Sequence, residues 1–247
     1  MQQVLQPNAR VTPQALVRAV VEHPCWYVPL GSLLAVSPDA SAMAVGRLTL
    51  PADGHIMGPP SDDLWLFSDE AAVRQAPPLG FGTLSGLELS SLFPCAWENL
   101  YFNPQPDRDA LILRIMPPVL GRLQELRLAV PVEISLASGI LDIDAIYGHP
   151  KFWVPLLADE AVTVPIPQRG VSGAVPVFTA SDCVAAWVGA LSDSARERLE
   201  VVPVTGVDLL TKVLLDPIDA IVFNLMGPAT CKVVDGAAYT RLVGHVR

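Results

Sequence analysis

The sequence predicts a mixed α/β (α+β) protein: two tandem mixed-sheet repeats, residues 1–130 and 131–247, forming a compact pseudo-symmetric body. Three observations carry that reading. First, His23-Pro24-Cys25-Trp26-Tyr27-Val28-Pro29-Leu30 recurs as His149-Pro150-Lys151-Phe152-Trp153-Val154-Pro155-Leu156, with five of eight positions identical and two more aromatic in both. Second, three later landmarks follow in the same order in each half. Leu64-Trp65-Leu66-Phe67-Ser68 parallels Val175-Pro176-Val177-Phe178-Thr179. Ser85-Gly86-Leu87-Glu88-Leu89 parallels Thr205-Gly206-Val207-Asp208-Leu209. Leu100-Tyr101-Phe102-Asn103-Pro104 parallels Ile221-Val222-Phe223-Asn224. Third, the 24 prolines among 247 residues are spread along the chain, which marks many short elements ending in abrupt turns.

In the first copy, Thr12 suits a helix N-cap and Pro13 a first turn, with Leu16, Val17, Val20 and Val21 on one face. His23-Pro24 stops that helix, because the residue before proline avoids the helical region. Aromatic and β-branched residues predict strands at 25–30, 64–67, 80–84, 99–103 and 110–115. Short helices are expected at 69–73 and 86–93, and a helix from Pro118 to Leu128 closes the copy. In the second copy strands are expected near 151–156, 162–166, 174–178, 200–204, 220–224 and 230–234. Helices are expected near 138–147, 180–190, 206–215 and 235–243. Residues 129–137 read as the stretch joining the copies, Leu157 to Gly173 as a loop, and residues 31–63 as a longer stretch whose 39–63 insertion, with Ala52-Asp53-Gly54-His55 and Gly58 to Asp63, looks like hairpin and loop.

Bulk properties narrow the function classes. Half the residues are apolar and 17% charged, which argues against disorder. The mean hydropathy of +0.41 reflects a large core, since Pro, Gly or a charge cuts every apolar run well short of a membrane span. The first residues show neither a basic nor an apolar leader region. Four cysteines with no C-x-x-C pair read as small core residues of a reducing compartment, so a cytoplasmic location is expected. The net charge of −9 disfavours nucleic acid and anionic membranes, and serves solubility or a basic partner.

The landmarks of the second copy resemble the SseB family of bacterial proteins, named for enhanced serine sensitivity. The resemblance rests on Phe152-Trp153-Val154-Pro155-Leu156, on Val175 to Asp182, and on Ile218-Asp219-Ala220-Ile221-Val222-Phe223-Asn224. It covers about 75 residues of this copy and, more faintly, the first. Two departures stand out: Asn224 is followed by Leu225 where the family has proline, and Ser68 replaces the family's threonine in the first copy. The resemblance implies a mixed α/β fold, a bacterial source and no established enzymatic activity; some members occur beside secretion systems. It supplies no catalytic residues.

Motifs of chemistry are sparse. His23 and His149 are general-base candidates by type, but both precede proline at one place of the repeat, and a helix stop explains both. No His-Glu-x-x-His or similar spacing supports a metal site, and none of the glycine stretches is a G-x-S-x-G or a Walker loop. Ser85-Gly86 and Thr205-Gly206 are better explained as helix caps than as a phosphate cradle. Adjacent carboxylates, among them Asp62-Asp63 and Asp159-Glu160, read as solvated faces. The five tryptophans read mainly as core.

The expectation is therefore a non-enzymatic protein-interaction module: an adaptor, chaperone-like or immunity-type protein. It would bind a basic or mixed protein surface through Asp62, Asp63, Asp159 and Glu160, without cofactor or metal. A homo-oligomer stays open. The runner-up is a small-molecule-binding protein or an unrecognised enzyme with a site between the repeats, with His55 and nearby acids as first suspects.

Overall fold

Hydrophobic periodicity and proline punctuation set up many short elements. The computed structural model describes residues 11–29, 45–49, 63–74, 81–92, 98–104, 109–139, 141–213, 219–236 and 238. The fold is mixed α/β, and the chain divides into two units, Met1–Arg127 and Leu128–Arg247.

The first unit runs α1 (Pro13–Glu22), β1 (Trp26–Pro29), β2 (Val45–Thr49), β3 (Asp63–Leu66), α2 (Glu70–Arg74), β4 (Phe81–Leu84), α3 (Gly86–Ser91), β5 (Asn99–Phe102) and β6 (Asp109–Arg114). Thr12 caps α1 by accepting the Ala15 N–H at 3.2 Å, and Leu16, Val17, Val20 and Val21 are buried, as the periodicity requires. The buried Trp26 ties β1 to α1 by donating its indole N–H to the Val20 carbonyl at 2.9 Å. One sheet pairs β1 with β4; the other has the order β2-β6-β5-β3, with β3 and β5 parallel. An isolated bridge, Tyr27 to Phe67, links the two sheets.

Helix α4 (Pro117–Ser138) crosses from the first unit's residues into the second's. The second unit continues with α5 (Ile143–Tyr147), β7 (Phe152–Leu157), β8 (Glu160–Ala161), β9 (Val164–Ile166), β10 (Val171–Val177), α6 (Ser181–Gly189), α7 (Asp193–Arg196), β11 (Glu200–Val204), α8 (Gly206–Asp208), β12 (Ala220–Phe223) and β13 (Lys232–Asp235). Its sheets have the orders β11-β7-β8 and β13-β12-β10-β9, with β10 and β12 parallel. Here too an isolated bridge, Trp153 to Phe178, links them. Pro176 lies in β10 without a break. The Val177 carbonyl accepts the Asn224 N–H, so Pro176 faces the other side. There it falls between the Ala174–Val164 pair and the Phe178–Trp153 bridge, where no ladder donor is needed.

The same contacts recur in each unit. The His23 carbonyl accepts the Gly86 N–H at 2.8 Å, and the His149 carbonyl accepts the Gly206 N–H at 2.8 Å. Ser85 and Thr205 cap α3 and α8, each accepting the backbone N–H three residues on; Glu88 completes a capping box with Ser85. These glycines are required by close approach: a Cβ on Gly86 would lie 2.1 Å from the Val20 carbonyl oxygen, and one on Gly206 1.9 Å from that of Ile146.

Several expectations change. Residues 129–137, read as the stretch joining the copies, are helical: they lie inside α4, which extends ten residues past Leu128 to Ser138. Pro131 removes one intrahelical donor, but its ring is exposed, while Ala129, Val130, Val132 and Leu136 are buried and hold the helix in place. The helix expected near 138–147 shrinks to α5, because α4 stops at Gly139 with φ +78° and Asp142 recaps the chain on the Ala145 N–H. The loop read from Leu157 to Gly173 contains β8 and the start of β10 besides β9, which falls within the strand expected near 162–166. The helix expected over 206–215 is one α-turn followed by a π-turn at Leu209–Val213, and α7 was not foreseen. The 31–63 stretch contributes β2, paired with β6; its other residues before Asp63, including His55 and Asp62, lie outside the described residues, as do Cys95, Trp97, His245 and most of the 235–243 helix. Trp26, Trp65 and Trp187 are core, but Trp153 is half-buried beneath the Lys151 ammonium, 4.0 Å from its ring centroid. Cys183 is a core residue and Cys25 half-buried, whereas Cys231 is exposed, against expectation.

Candidate functional site

The carboxyl ends of parallel strands are where α/β sheets commonly present ligand-binding and catalytic groups. In the second unit this edge holds a buried polar cluster: Thr179 after β10, Asn224 after β12, Glu133 from α4 and His149 after α5. Asn224 adopts φ 52°, a conformation asparagine tolerates better than most residues, which turns its side chain back onto the strand ends. Its Oδ1 accepts the Thr179 N–H at 2.9 Å. The Thr179 hydroxyl lies 2.6 Å from Glu133 Oε1 and 3.1 Å from Asn224 Oδ1. It has one hydrogen, and the shorter contact to the carboxylate takes it as a charge-assisted bond.

His149 Nε2 lies 3.2 Å from the Thr179 carbonyl. A carbonyl only accepts, so Nε2 carries the hydrogen and Nδ1 the lone pair. Burial pushes the imidazole below its ordinary pKa; backbone groups of Thr179, Leu128 and Lys151 and the Glu133 charge pull weakly the other way. Neutral His149 thus buttresses the strand end. Among the described residues, His149 Nδ1 and Asn224 Nδ2 have no hydrogen-bond partner. The enclosed cluster joins α4, the end of α5, β10 and β12, and its arrangement is that of an internal brace.

The first unit repeats the pattern in a more open form. Asn103, at φ 49°, accepts the Ser68 N–H at 2.8 Å and exchanges contacts of 3.1 and 3.2 Å with the Ser68 hydroxyl. His23 stacks on Trp26 with centroids 4.0 Å apart, and its Nδ1 accepts the Cys25 N–H at 3.3 Å. Partial burial lowers its pKa too. Neither histidine stands beside a nucleophile and an acid in the geometry of a catalytic triad. Among the described residues no group of three His, Cys, Asp or Glu side chains could hold a metal ion.

The acids singled out in the sequence fall in different places. Asp63 is the first residue of β3, opposite Asn99 of β5, in the first unit. Asp159 and Glu160 are exposed at the tip of the β7–β8 hairpin in the second. Ala158 and Asp159 form its two-residue loop with φ 51° and 67°, the signature of a type I′ turn. Asp159 therefore has a backbone reason for its place, and Glu160 pairs with Leu157 in the ladder.

A feature not read in the sequence is the outer face of α4. Leu128 is 41% exposed and Ile134 56%, with exposed Pro131 between them. The charged residues of the helix, Arg122, Glu125, Arg127 and Glu133, are half-buried or buried instead. This inverts the usual amphipathic arrangement. The sequence pattern does not announce it, because a helix expected to end at Leu128 leaves Ile134 in the connection.

No helix among the described residues is long and apolar enough to cross a membrane. Comparison with protein-family models, with curated proteins and with solved structures finds no match for this chain.

Proposed function

We propose that the chain is a cytoplasmic, non-enzymatic protein-interaction module, an SseB-like adaptor, chaperone-like or immunity-type protein of a bacterium, in a setting such as a secretion system. The observation that carries this reading is the uncharged, exposed face of α4 between Gln124 and Ser138. In a chain of net charge −9, a solvated helix face would ordinarily hold charges; an apolar one is favoured where another protein covers it. The polar cluster at the ends of β10 and β12 fits a brace better than a reactive centre, because its groups are buried and bonded chiefly to one another. The exposed acids Asp159 and Glu160 would steer a basic or mixed partner surface by long-range attraction.

The test is an affinity pull-down from the source cells followed by mass spectrometry. The expected result is a stoichiometric protein partner. Replacing Asp62, Asp63 and Glu160 by Ala and Asp159 by Gly, which keeps the turn, should weaken binding and flatten its salt dependence. Unchanged affinity would remove the electrostatic part. An empty pull-down with a co-purifying metabolite would replace the module by a small-molecule-binding protein.

A further inference from the structure

We propose that the exposed face of α4 is the centre of a symmetric homodimer, in which a second copy of this chain lies antiparallel across it with the two-fold axis at Pro131. The inference rests on the protein-interaction reading and names the partner for that face.

The spacing carries it. Of the exposed residues from Gln124 to Ser138 (Gln124, Leu128, Pro131, Ile134, Ala137 and Ser138), all but Ala137 stand symmetrically about Pro131, three and seven positions to either side. An isologous contact needs this kind of palindrome, because residue i must meet j while j meets i. Antiparallel alignment on Pro131 sets Leu128 against Ile134 of the partner subunit, and Ile134 against the partner subunit's Leu128. Gln124 then faces Ser138 of the partner subunit. Apolar meets apolar, and amide meets hydroxyl. Steps of three and four residues keep the seam straight along a pair of slightly crossed helices.

Charge points to the same occupant. Two chains of net charge −9 repel each other, and that repulsion is least along a seam free of charge. A basic partner would gain nothing from this face and would be drawn to acids such as Asp159 and Glu160. Other exposed apolar side chains, Met226 and Leu157 among them, do not continue this seam along α4. The seam is shorter than the roughly 20–30 residues a side of a standard interface, so a concentration-dependent dimer that dissociates on dilution is expected.

Sedimentation velocity of the full chain from about 1 to about 200 µM tests this, a range that brackets weak association. The wild type should pass from monomer to dimer. Leu128→Lys and Ile134→Glu should each stay monomeric throughout, with wild-type circular dichroism; Ile134→Ser replaces the glutamate variant if that spectrum changes. The double variant Leu128→Lys/Ile134→Glu places a lysine opposite a glutamate of the partner subunit twice, and should restore the dimer. A wild type that stays monomeric, or a double variant no better than the singles, overturns the proposal. The adaptor reading fails separately: a pull-down with the wild-type chain that retains no protein besides this chain itself removes it and leaves the dimer standing.

Discussion

Asn224 reaches back across the carboxyl end of the parallel strand pair to Thr179, accepting its buried N–H at 2.9 Å from a backbone held at φ 52°. Asn103 and Ser68 do the same in the first unit at 2.8 Å. An asparagine serves two needs at once here: it tolerates the left-handed backbone, and its oxygen satisfies a donor that the strand leaves behind.

Asn224→Ala should therefore destabilise the second unit twice over. Orphaning the Thr179 N–H costs about 1–3 kcal/mol, and a left-handed alanine about 1 kcal/mol more. Asn224→Gly removes only the bond and should be the milder change. Hydrogen exchange of the β10 and β12 amides would show the order. Asn103→Ala should cost less, because its site is half-buried.

Acid should loosen the second unit through His149. Its folded pKa lies below the ordinary 6.5 because burial disfavours the charged ring. As pH falls through 6.5 the unfolded chain takes up the proton first, so stability rises with pH in this window and is lost on acidification until the folded pKa is reached. Thermal unfolding between pH 5 and 8 should show that slope, and His149→Gln should flatten it. His23 adds a contribution of the same sign, from a less buried ring.

Glycines separate close approach from simple flexibility. Gly206→Ala and Gly86→Ala drive a Cβ to 1.9 Å from the Ile146 carbonyl oxygen of α5 and to 2.1 Å from the Val20 carbonyl oxygen of α1, so neither unit should tolerate the change. A loss above about 4 kcal/mol is expected. A Cβ on Gly121, inside α4, would meet nothing within 4 Å. Gly121→Ala should stabilise the helix by about 0.5–1 kcal/mol. Chemical denaturation of the three variants would check the contrast.

What proved readable in the sequence was local. Thr12-Pro13, Ser85 and Thr205 announce helix starts, and each cap forms. Proline after His23 ends α1, and the strands opening with Trp26 and Phe152 follow from their aromatic and β-branched content. The errors came where a local signal was outweighed. The helix expected to end at Leu128 runs on to Ser138, because burial of Val130, Val132 and Leu136 carries α4 through Pro131. The stretch from Leu157 to Gly173 reads as a loop around the strand expected near 162–166, yet a two-residue turn with both φ positive pairs Glu160 and Ala161 back onto β7.

By itself the sequence determined the mixed α/β class, most element starts and the recurrence of the landmarks, because caps, turns and periodicity act over a few residues. Only the tertiary structure decided that Glu133, His149, Thr179 and Asn224 meet, and that Leu128 and Ile134 face outward while the charges of α4 do not. Those outcomes depend on the rotation of a helix and the order of strands. They are fixed by packing between residues up to 91 positions apart, such as Glu133 and Asn224 about Thr179, and no local pattern encodes them.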